Sequence, residues 1–515
     1  MSSRIRAMTV LAFVLVAVLL VSGAMAGEKT VPKTDKPAKA EKPAKVEKAK
    51  AGKSGAACPM SQFVKDMNLR GGLDIRIREE YFDDIPIIAD PPGVTRGGEN
   101  DYFRFRTRAW MEADPMKNVT FKARLVNEFR LWAKPSGSVR SPTQAGSYDP
   151  EDEFVFDNLY LDIKGLANDK LDLRIGRQEL IYGTGKVILE GTPKDGSRTI
   201  YFDAVKATLK TCPDSTLDII GIYNPPEDDL AINSADRELT GFTSAYNDET
   251  ESGGGLYFKS QKSKEMPFEA YLLYKNESEW QQPAKKDAAT GAFIPPALPW
   301  QRLDEAEGEI VTDDSDIGTV GTRLLPVFSE RLSGNIELAF QFGQRGDEDL
   351  QAYMADAFLI YKLPMMEDMK PAVDYGLYYL SGDDATTAKD EGWDPLWSRW
   401  PQYSELYVYA WDAEGAAKWQ NVSMPHVGLT LSPTKWLKTS ALVGYMWAPE
   451  ANGPGGGDER GLLAVVKGEF TIKARWVPEK HKLAGHLWLE MVDPGNYYQV
   501  DDTAVFARWQ LTYEF

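Results

Sequence analysis

The chain has 515 residues, a formal net charge of −18, only two cysteines, and 11% aromatic residues that include 14 Trp and 23 Tyr. Two cysteines exclude a disulfide-built scaffold, and so acidic a balance argues against a nucleic-acid partner. Past the first segment, no apolar run approaches the roughly 18 residues that a spanning helix needs, which leaves an exported soluble protein or a membrane barrel.

Residues 1–26 read as a secretory signal peptide. Arg4 and Arg6 make a basic start, Val10 to Val21 are almost wholly apolar, and Ala24-Met25-Ala26 offers a small-x-small cleavage site. Residues 27–60 read as a disordered periplasmic linker. Glu28 to Ala57 hold nine Lys and three Pro and lack the apolar content of a core.

From Leu73 the chain alternates apolar and polar residues. The first strand, Leu73 to Phe82, sets Leu73, Ile75 and Ile77 against Asp74, Arg76 and Arg78. A long acidic stretch follows. The second strand, Tyr102 to Ala113, puts Arg104, Arg106 and Arg108 on one face and Phe103, Phe105, Thr107 and Ala109 on the other. An Arg facing lipid at mid-membrane costs about 2–4 kcal/mol, so these three point to a lumen. The third strand, Val119 to Ala133, repeats the pattern with Lys122, Arg124 and Arg130 against Phe121, Leu125, Phe129 and Leu131. A turn centred at Met116 would set Arg104 opposite Glu128 and Arg108 opposite Arg124. Strand four, Phe154 to Lys164, turns tightly into strand five, Leu171 to Ile181, with Arg174 inward. Strand six is Ile200 to Lys210.

Short turns then recur near Thr211–Ser215, Ser260–Met266, Ser329–Ser333, Leu363–Pro371, Ser432–Trp436 and Pro478–Lys482. Long loops recur near Pro225–Ser252, Trp280–Asp316, Gly382–Ser404, Pro449–Glu459 and Asp493–Asp502. Short on one side and long on the other is the pattern of outer-membrane barrels. The fold class is therefore all-β, a transmembrane antiparallel barrel of about 18 strands over residues 61–515. Glu405 to Trp411 reads as a further hairpin inside a loop. In the last strand Val505, Ala507, Trp509, Leu511 and Tyr513 alternate with polar residues up to the terminal Phe515, the ending that barrel-assembly machinery reads.

Charge is partitioned. From Cys58 onward there are 48 basic and 73 acidic residues, and the excess acid lies in the long loops. Pro225 to Glu251 alone holds eight acids and one Arg. The strands carry the cations. Strands two and three offer six inward cations against Glu112 and Glu128, and Lys467, Lys473, Arg475 and Arg508 share the inward parity further on. Such a lumen would concentrate anions; the bland alternative is that the cations pair with luminal acids and brace the wall.

Leu171 to Ile188, LDLRIGRQELIYGTGKVI, closely resembles the GRQ strand and YG loop of the alginate-export family of bacterial outer-membrane barrel porins. Phe156–Gly165, Tyr201–Leu209, Tyr379–Asp384 and the following WDPLWSRWPQYSELY add to the likeness, which covers roughly Leu73 to Phe515. The resemblance implies a monomeric eighteen-stranded channel in outer-membrane lipid, with a cationic lumen that passes an anionic saccharide or small anion. It makes Arg177 the GRQ arginine. Strict alternation points Arg177 outward, so a bulge at Gly176 or a strand end above the membrane is expected. Asn158-Leu159-Tyr160 stands where the family has Glu-Ala-Tyr, which leaves the solute open.

No cofactor, metal site or catalytic group is expected. The three histidines, His426, His481 and His486, are read as hydrogen-bonding side chains, with His486–Glu490 the one arrangement that a barrel hydrolase would need. A closed structural or surface-binding barrel is the other alternative. Any gate is expected to be an external loop folded inward. Cys58 and Cys212 are expected at the same rim, where a disulfide between them would pin the linker end across the mouth.

Overall fold

The computed structural model describes residues 67–84, 99–134, 154–189, 201–225, 250–283, 301–304, 306–398, 403–409, 420–453, 455–499 and 501–515. The signal peptide, the linker and Cys58 lie outside these residues. The unit Arg70–Phe515 is one closed antiparallel barrel of eighteen strands with almost no helix. They are β1 (Arg70–Asp83), β2 (Glu99–Met116), β3 (Val119–Lys134), β4 (Val155–Gly165), β5 (Leu171–Gln178), β6 (Phe202–Cys212), β7 (Ser215–Asn224), β8 (Glu251–Ser260), β9 (Phe268–Glu277), β10 (Ser315–Leu324), β11 (Leu332–Arg345), β12 (Glu348–Lys362), β13 (Ala372–Leu380), β14 (Val422–Thr434), β15 (Leu437–Trp447), β16 (Glu459–Ile472), β17 (Lys482–Pro494) and β18 (Ala504–Glu514). Three short strands pair on their own in the loop between β9 and β10.

Each strand pairs with its sequence neighbours, and β1 closes on β18 from Asp74↔Glu514 to Asp83↔Val505. The seam is locked at the chain's end. The Leu73 amide donates to the Phe515 carbonyl at 2.8 Å, and the Phe515 amide returns the bond to Leu73 at 2.9 Å. Closure leaves no free edge, which is the condition for a sheet in hydrocarbon.

Alternation sets the two faces. Ile75, Ile77, Val205, Leu272, Val443 and Leu511 are exposed on the outer surface, where lipid takes the place of a packing partner. The residues between them turn inward. No described helix is long and apolar enough to cross a membrane, and the strands do the crossing.

Three expectations are corrected. First, β2 and β3 pair two residues away from the simple turn. Arg104 faces Arg130, Arg106 faces Glu128, and Trp110 faces Arg124, because the chain turns at Lys117-Asn118, where Met116 faces Val119, and not about Met116. The bulge between Ala113 and Met116 then takes back one residue of that offset. Second, the described part of the segment expected as a hairpin, 405–409, forms no strand: Leu406–Tyr409 is a helical turn, and Trp411 lies outside the described residues. Third, one long-side connection is short. Only Gly346 and Asp347 join β11 to β12, with Gly346 at φ 56°, the left-handed backbone of a tight turn.

Candidate functional site

The inward cations of β1, β2 and β18 form one ion network. Arg76 pairs with Glu128 at 2.8 Å, and Arg104 with Glu128 at 2.7 Å and Glu80 at 2.9 Å. Glu80 also holds Arg78 at 2.9 Å and Arg508 at 2.7 Å. Asp74 takes Arg108 at 2.7 Å and Arg106 at 3.5 Å. The guanidinium groups of Arg76, Arg78, Arg104, Arg106 and Arg508 are buried. Neighbouring strands in a twisted barrel stagger their inward residues, so an Arg reaches acids above and below its register partner.

The other expected lumen residues are placed as follows. Arg124 grips Asp157 at 2.7 and 2.8 Å and also bonds Glu179. Lys122 meets Glu112 at 3.2 Å. Arg174 is bidentate to Asp162 at 2.7 and 2.9 Å and lies 4.1 Å from the Tyr160 ring centroid. Lys467 meets Glu469 at 3.6 Å. Arg130 stands opposite Arg104, and its side chain lies outside the described part. The five described cations of β2 and β3 thus meet Asp74, Glu80, Asp157 and Glu179 besides Glu112 and Glu128. The expected surplus is much reduced, because counting acids on two strands omits those on β1, β4 and the loops.

Two residues leave the lumen set. Arg475 and Lys473 lie past the end of β16, exposed in the turn to β17, where the amide of Val477 bonds Ala474 and that of His481 bonds Pro478. Period two in the sequence simply outruns the strand. Arg177 sits in register with Leu159 and Asp203, two places from the outward-facing Ile175. The ladder passes through Gly176 without a register shift, so the expected bulge is absent. Gly176 has φ 118°, and a Cβ there would meet the Leu159 carbonyl oxygen at 2.3 Å. Arg177 is instead near the strand end, bidentate to Asp203 at 2.9 Å and stacked 3.6 Å from the Tyr201 ring centroid. Cys212 is exposed with a free thiol at the short-turn end of β6. It should react fully with a maleimide reagent on the folded barrel; protection from alkylation in the unreduced protein would instead mean that Cys58 reaches it.

Two loops enter the lumen, and sequence reading placed neither there. In the first, residues 179–189 after β5, Tyr182 donates to Asp218 of β7 at 2.8 Å and Thr184 to Glu337 of β11 at 3.2 Å. Lys186 reaches Asp356 of β12 at 3.5 Å, with its ammonium 4.1 Å from the Tyr378 and Tyr403 ring centroids. Burial pushes the Lys186 ammonium below its ordinary pKa, against the pull of Asp356 and Glu337. In the second, after β13, Asp394 exchanges bonds with Gln341 at 2.6 and 2.9 Å and takes Arg345 at 2.9 Å, while Lys275 donates to the Leu396 carbonyl at 2.9 Å. Tyr403 then bonds Asp356 at 2.7 Å.

Beyond that point the second loop meets the opposite wall. Glu490 of β17 accepts the Ser404 hydroxyl and the amides of Glu405 at 2.8 Å and Leu406 at 3.2 Å. Glu405 pairs with Arg508 at 2.7 Å. Glu490 is thus an anchor for the loop and not half of a base pair with His486. The two loops also join each other. Ile188 and Trp397 form a parallel bridge, the Trp397 amide donates to Val187 at 3.1 Å, and the Ser398 hydroxyl bonds the Gly185 carbonyl. Together they make a two-ply plug that spans the barrel from β7–β12 to β17–β18. Tyr182 and Lys186 lie in the YGTGK stretch, expected only as the YG loop that follows the GRQ strand.

Outside the plug, a cavity of about 670 Å³ opens among acidic residues, Asp313, Asp314, Asp347, Glu348, Asp383 and Asp384 among them. Burial raises the Asp383 carboxyl above its ordinary pKa, and hydrogen bonds from Thr386 lower that of Asp384. Among the described residues no cluster has the makings of a metal centre.

Solved outer-membrane channels share this fold. OpdK from Pseudomonas aeruginosa superposes with a TM-score of 0.51 at 11% identity, over 87% of this chain and 98% of that one. A BenF-like porin from Pseudomonas fluorescens Pf-5 gives 0.51 at 10% identity, over 88% and 99%. No curated protein matches the sequence. The family model for alginate export matches residues 67–452. The barrel, its luminal ion network and that match agree: the chain belongs to the alginate export family of outer-membrane channel barrels, and it is not an enzyme.

Proposed function

We propose that the barrel is a gated channel for anionic solutes, carboxylated saccharides of the uronate type among them, and that the two-ply plug is its gate. The observation that carries this is Glu405. A carboxylate that belongs to a loop, not to the wall, is bound by Arg508 at 2.7 Å within the arginine face. The face therefore already receives a carboxylate from outside the barrel wall, and a solute carboxylate offers the same chemistry. Two aromatic rings lie beside Arg508, Trp488 with its centroid 5.8 Å and Phe506 with its centroid 4.9 Å from the guanidinium carbon, and such rings suit the apolar faces of sugar rings. On this reading the chain is a monomer in the bacterial outer membrane, inserted by the barrel-assembly machinery, with the linker in the periplasm.

Ion selectivity in a planar bilayer tests it. The native channel should give reversal potentials of the anion-preferring sign under a KCl gradient. Changing Arg106 and Arg108 to Gln spares the pairs around Glu80 and Glu128 and should move that potential toward zero. A native channel that prefers cations, or a variant with an unchanged potential, would leave the arginines as braces of the wall.

A further inference from the structure

Lys186 of the first plug loop sits in a cage built by the wall and the second loop. Its ammonium lies 3.5 Å from Asp356 of β12 and 4.1 Å from the ring centroids of Tyr378 of β13 and Tyr403 of the second loop. The two rings stand 5.0 Å apart, inclined at 52°, and share the ammonium between them. The Tyr403 hydroxyl donates to the other Asp356 oxygen at 2.7 Å, which fixes ring and carboxylate together. A carboxylate beside two ring faces is the chemistry that recognises an organic ammonium.

The wall does not balance this cage by itself. Glu337 of β11, Asp356 and Tyr378 are register partners in one inward row, and both carboxylates are buried. Among the described residues, Lys186 is the cation at ion-pair distance from Asp356. Glu337 accepts the Tyr271 hydroxyl at 3.1 Å and the Thr184 hydroxyl at 3.2 Å. Neighbouring bases turn elsewhere. Arg323 donates to Asn335 at 2.6 Å and pairs with Glu269 at 3.4 Å, and His426 approaches Asp374 at 3.9 Å. Thr184 and Lys186 belong to the same loop, so its withdrawal takes away a hydroxyl and the cation together. Two adjacent carboxylates left in that row repel each other, and the vacated cage then draws a cation from the lumen.

We propose that Asp356, Tyr378 and Tyr403 form a binding site for a primary ammonium group, filled by Lys186 while the plug is closed and taken by a soluble amine or amino sugar when the first loop withdraws. Lys186 is then a tethered competitor, and an amine favours the withdrawn loop by occupying the cage behind it. The exchange rests on the gate reading of the plug; the cage itself does not.

The detergent-folded Lys186→Ala protein tests the cage. Calorimetric titration with n-propylammonium, which restores the missing carbon chain and charge, should show saturable binding, and the neutral isostere n-propanol should show none. Native protein, its cage filled, should bind propylammonium at least about tenfold more weakly. Adding Asp356→Asn or Tyr378→Leu to Lys186→Ala should each weaken binding about tenfold. Heat-modifiable gel mobility checks that every variant is folded. The native channel supplies a reading that needs no variant: in a planar bilayer in KCl, added propylammonium should raise the mean conductance, and equimolar propanol should not. Lys186→Ala protein that ignores propylammonium, equal binding of propanol, or double variants of unchanged affinity overturns the site. If Lys186→Ala fails to fold, a native conductance that propylammonium does not move overturns the proposal. Binding by Lys186→Ala with no effect on native conductance leaves the site in place and removes the gating exchange, so the two readings fail separately.

Discussion

Removing residues 384–418, with a short Gly-Ser joint between Asp383 and Trp419, should raise single-channel conductance several-fold. The second plug loop leaves the wall at Ser381 and returns at Asn421, and the Asn421 amide donates to the Ser381 carbonyl at 3.1 Å. Its two stems are therefore already adjacent, and β13 and β14 stay paired through Leu380↔Val422 without it. What is lost is the chain that crosses the lumen: the contacts to β9 and β11, Tyr403 on Asp356, and the Ser404–Leu406 turn on Glu490. A barrel of eighteen strands is wide enough for a water-filled channel once that chain is gone. The first loop would lose the Trp397 and Ser398 bonds that tie Gly185, Val187 and Ile188 in place. The complementary variant, Ile188→Cys with Trp397→Cys, joins bridge partners and should hold the native conductance low until a reductant is added. Equal conductance in native and loop-deleted channels would mean that the plug does not obstruct the path.

The strands were legible in the sequence because period two is enforced by lipid on one side and water on the other. The first-strand pattern Leu73–Arg78 and the last, Val505–Phe515, fix the seam, and the barrel spans them. Legibility fails wherever that pressure is absent. Arg475 looked inward because the alternation happens to continue past Ile472. The pairing of Arg104 was misread because the position of the turn at Lys117-Asn118 leaves no trace in the parity of either strand. The short Gly346-Asp347 turn broke a length rule that has no physical basis beyond the habit of placing long loops outside.

The site was half legible for a related reason. Inward parity turned Arg76, Arg104 and Arg508 away from lipid, and all three side chains are buried, but parity says nothing about which acids lie across a lumen. Glu405 is 325 residues from Glu80, and both hold Arg508. The plug loops carried no period at all. Their fixed points are a carboxylate, a hydroxyl or an aromatic ring meeting a wall residue far off in sequence, as Tyr182 meets Asp218.

Changing Glu80 to Gln should destabilise the folded barrel by about 3–5 kcal/mol, the usual consequence of taking one partner from a buried charge pair. Glu80 is fully buried and is the hub of the seam: Arg78 lies on its own strand, Arg104 on β2 and Arg508 on β18, all within 2.9 Å. Gln keeps the shape and one acceptor oxygen, so packing is preserved while three guanidinium groups lose a shared negative charge. Glu128 still serves Arg104, and Glu405 still serves Arg508, while Gln510, which bonds Arg78 at 2.6 Å and 3.0 Å, is neutral. Because β1 and β18 are the last strands to meet when a barrel closes, the loss falls on the closing pair. Urea unfolding in detergent, followed by tryptophan fluorescence and by heat-modifiable mobility, should show a lower midpoint with an unchanged slope. Glu79→Gln is the control. Glu79 faces outward and bonds the Trp509 indole, so its loss should shift the midpoint far less. If both variants unfold at the same urea concentration, the buried network contributes no more to the seam than one bond at the lipid face.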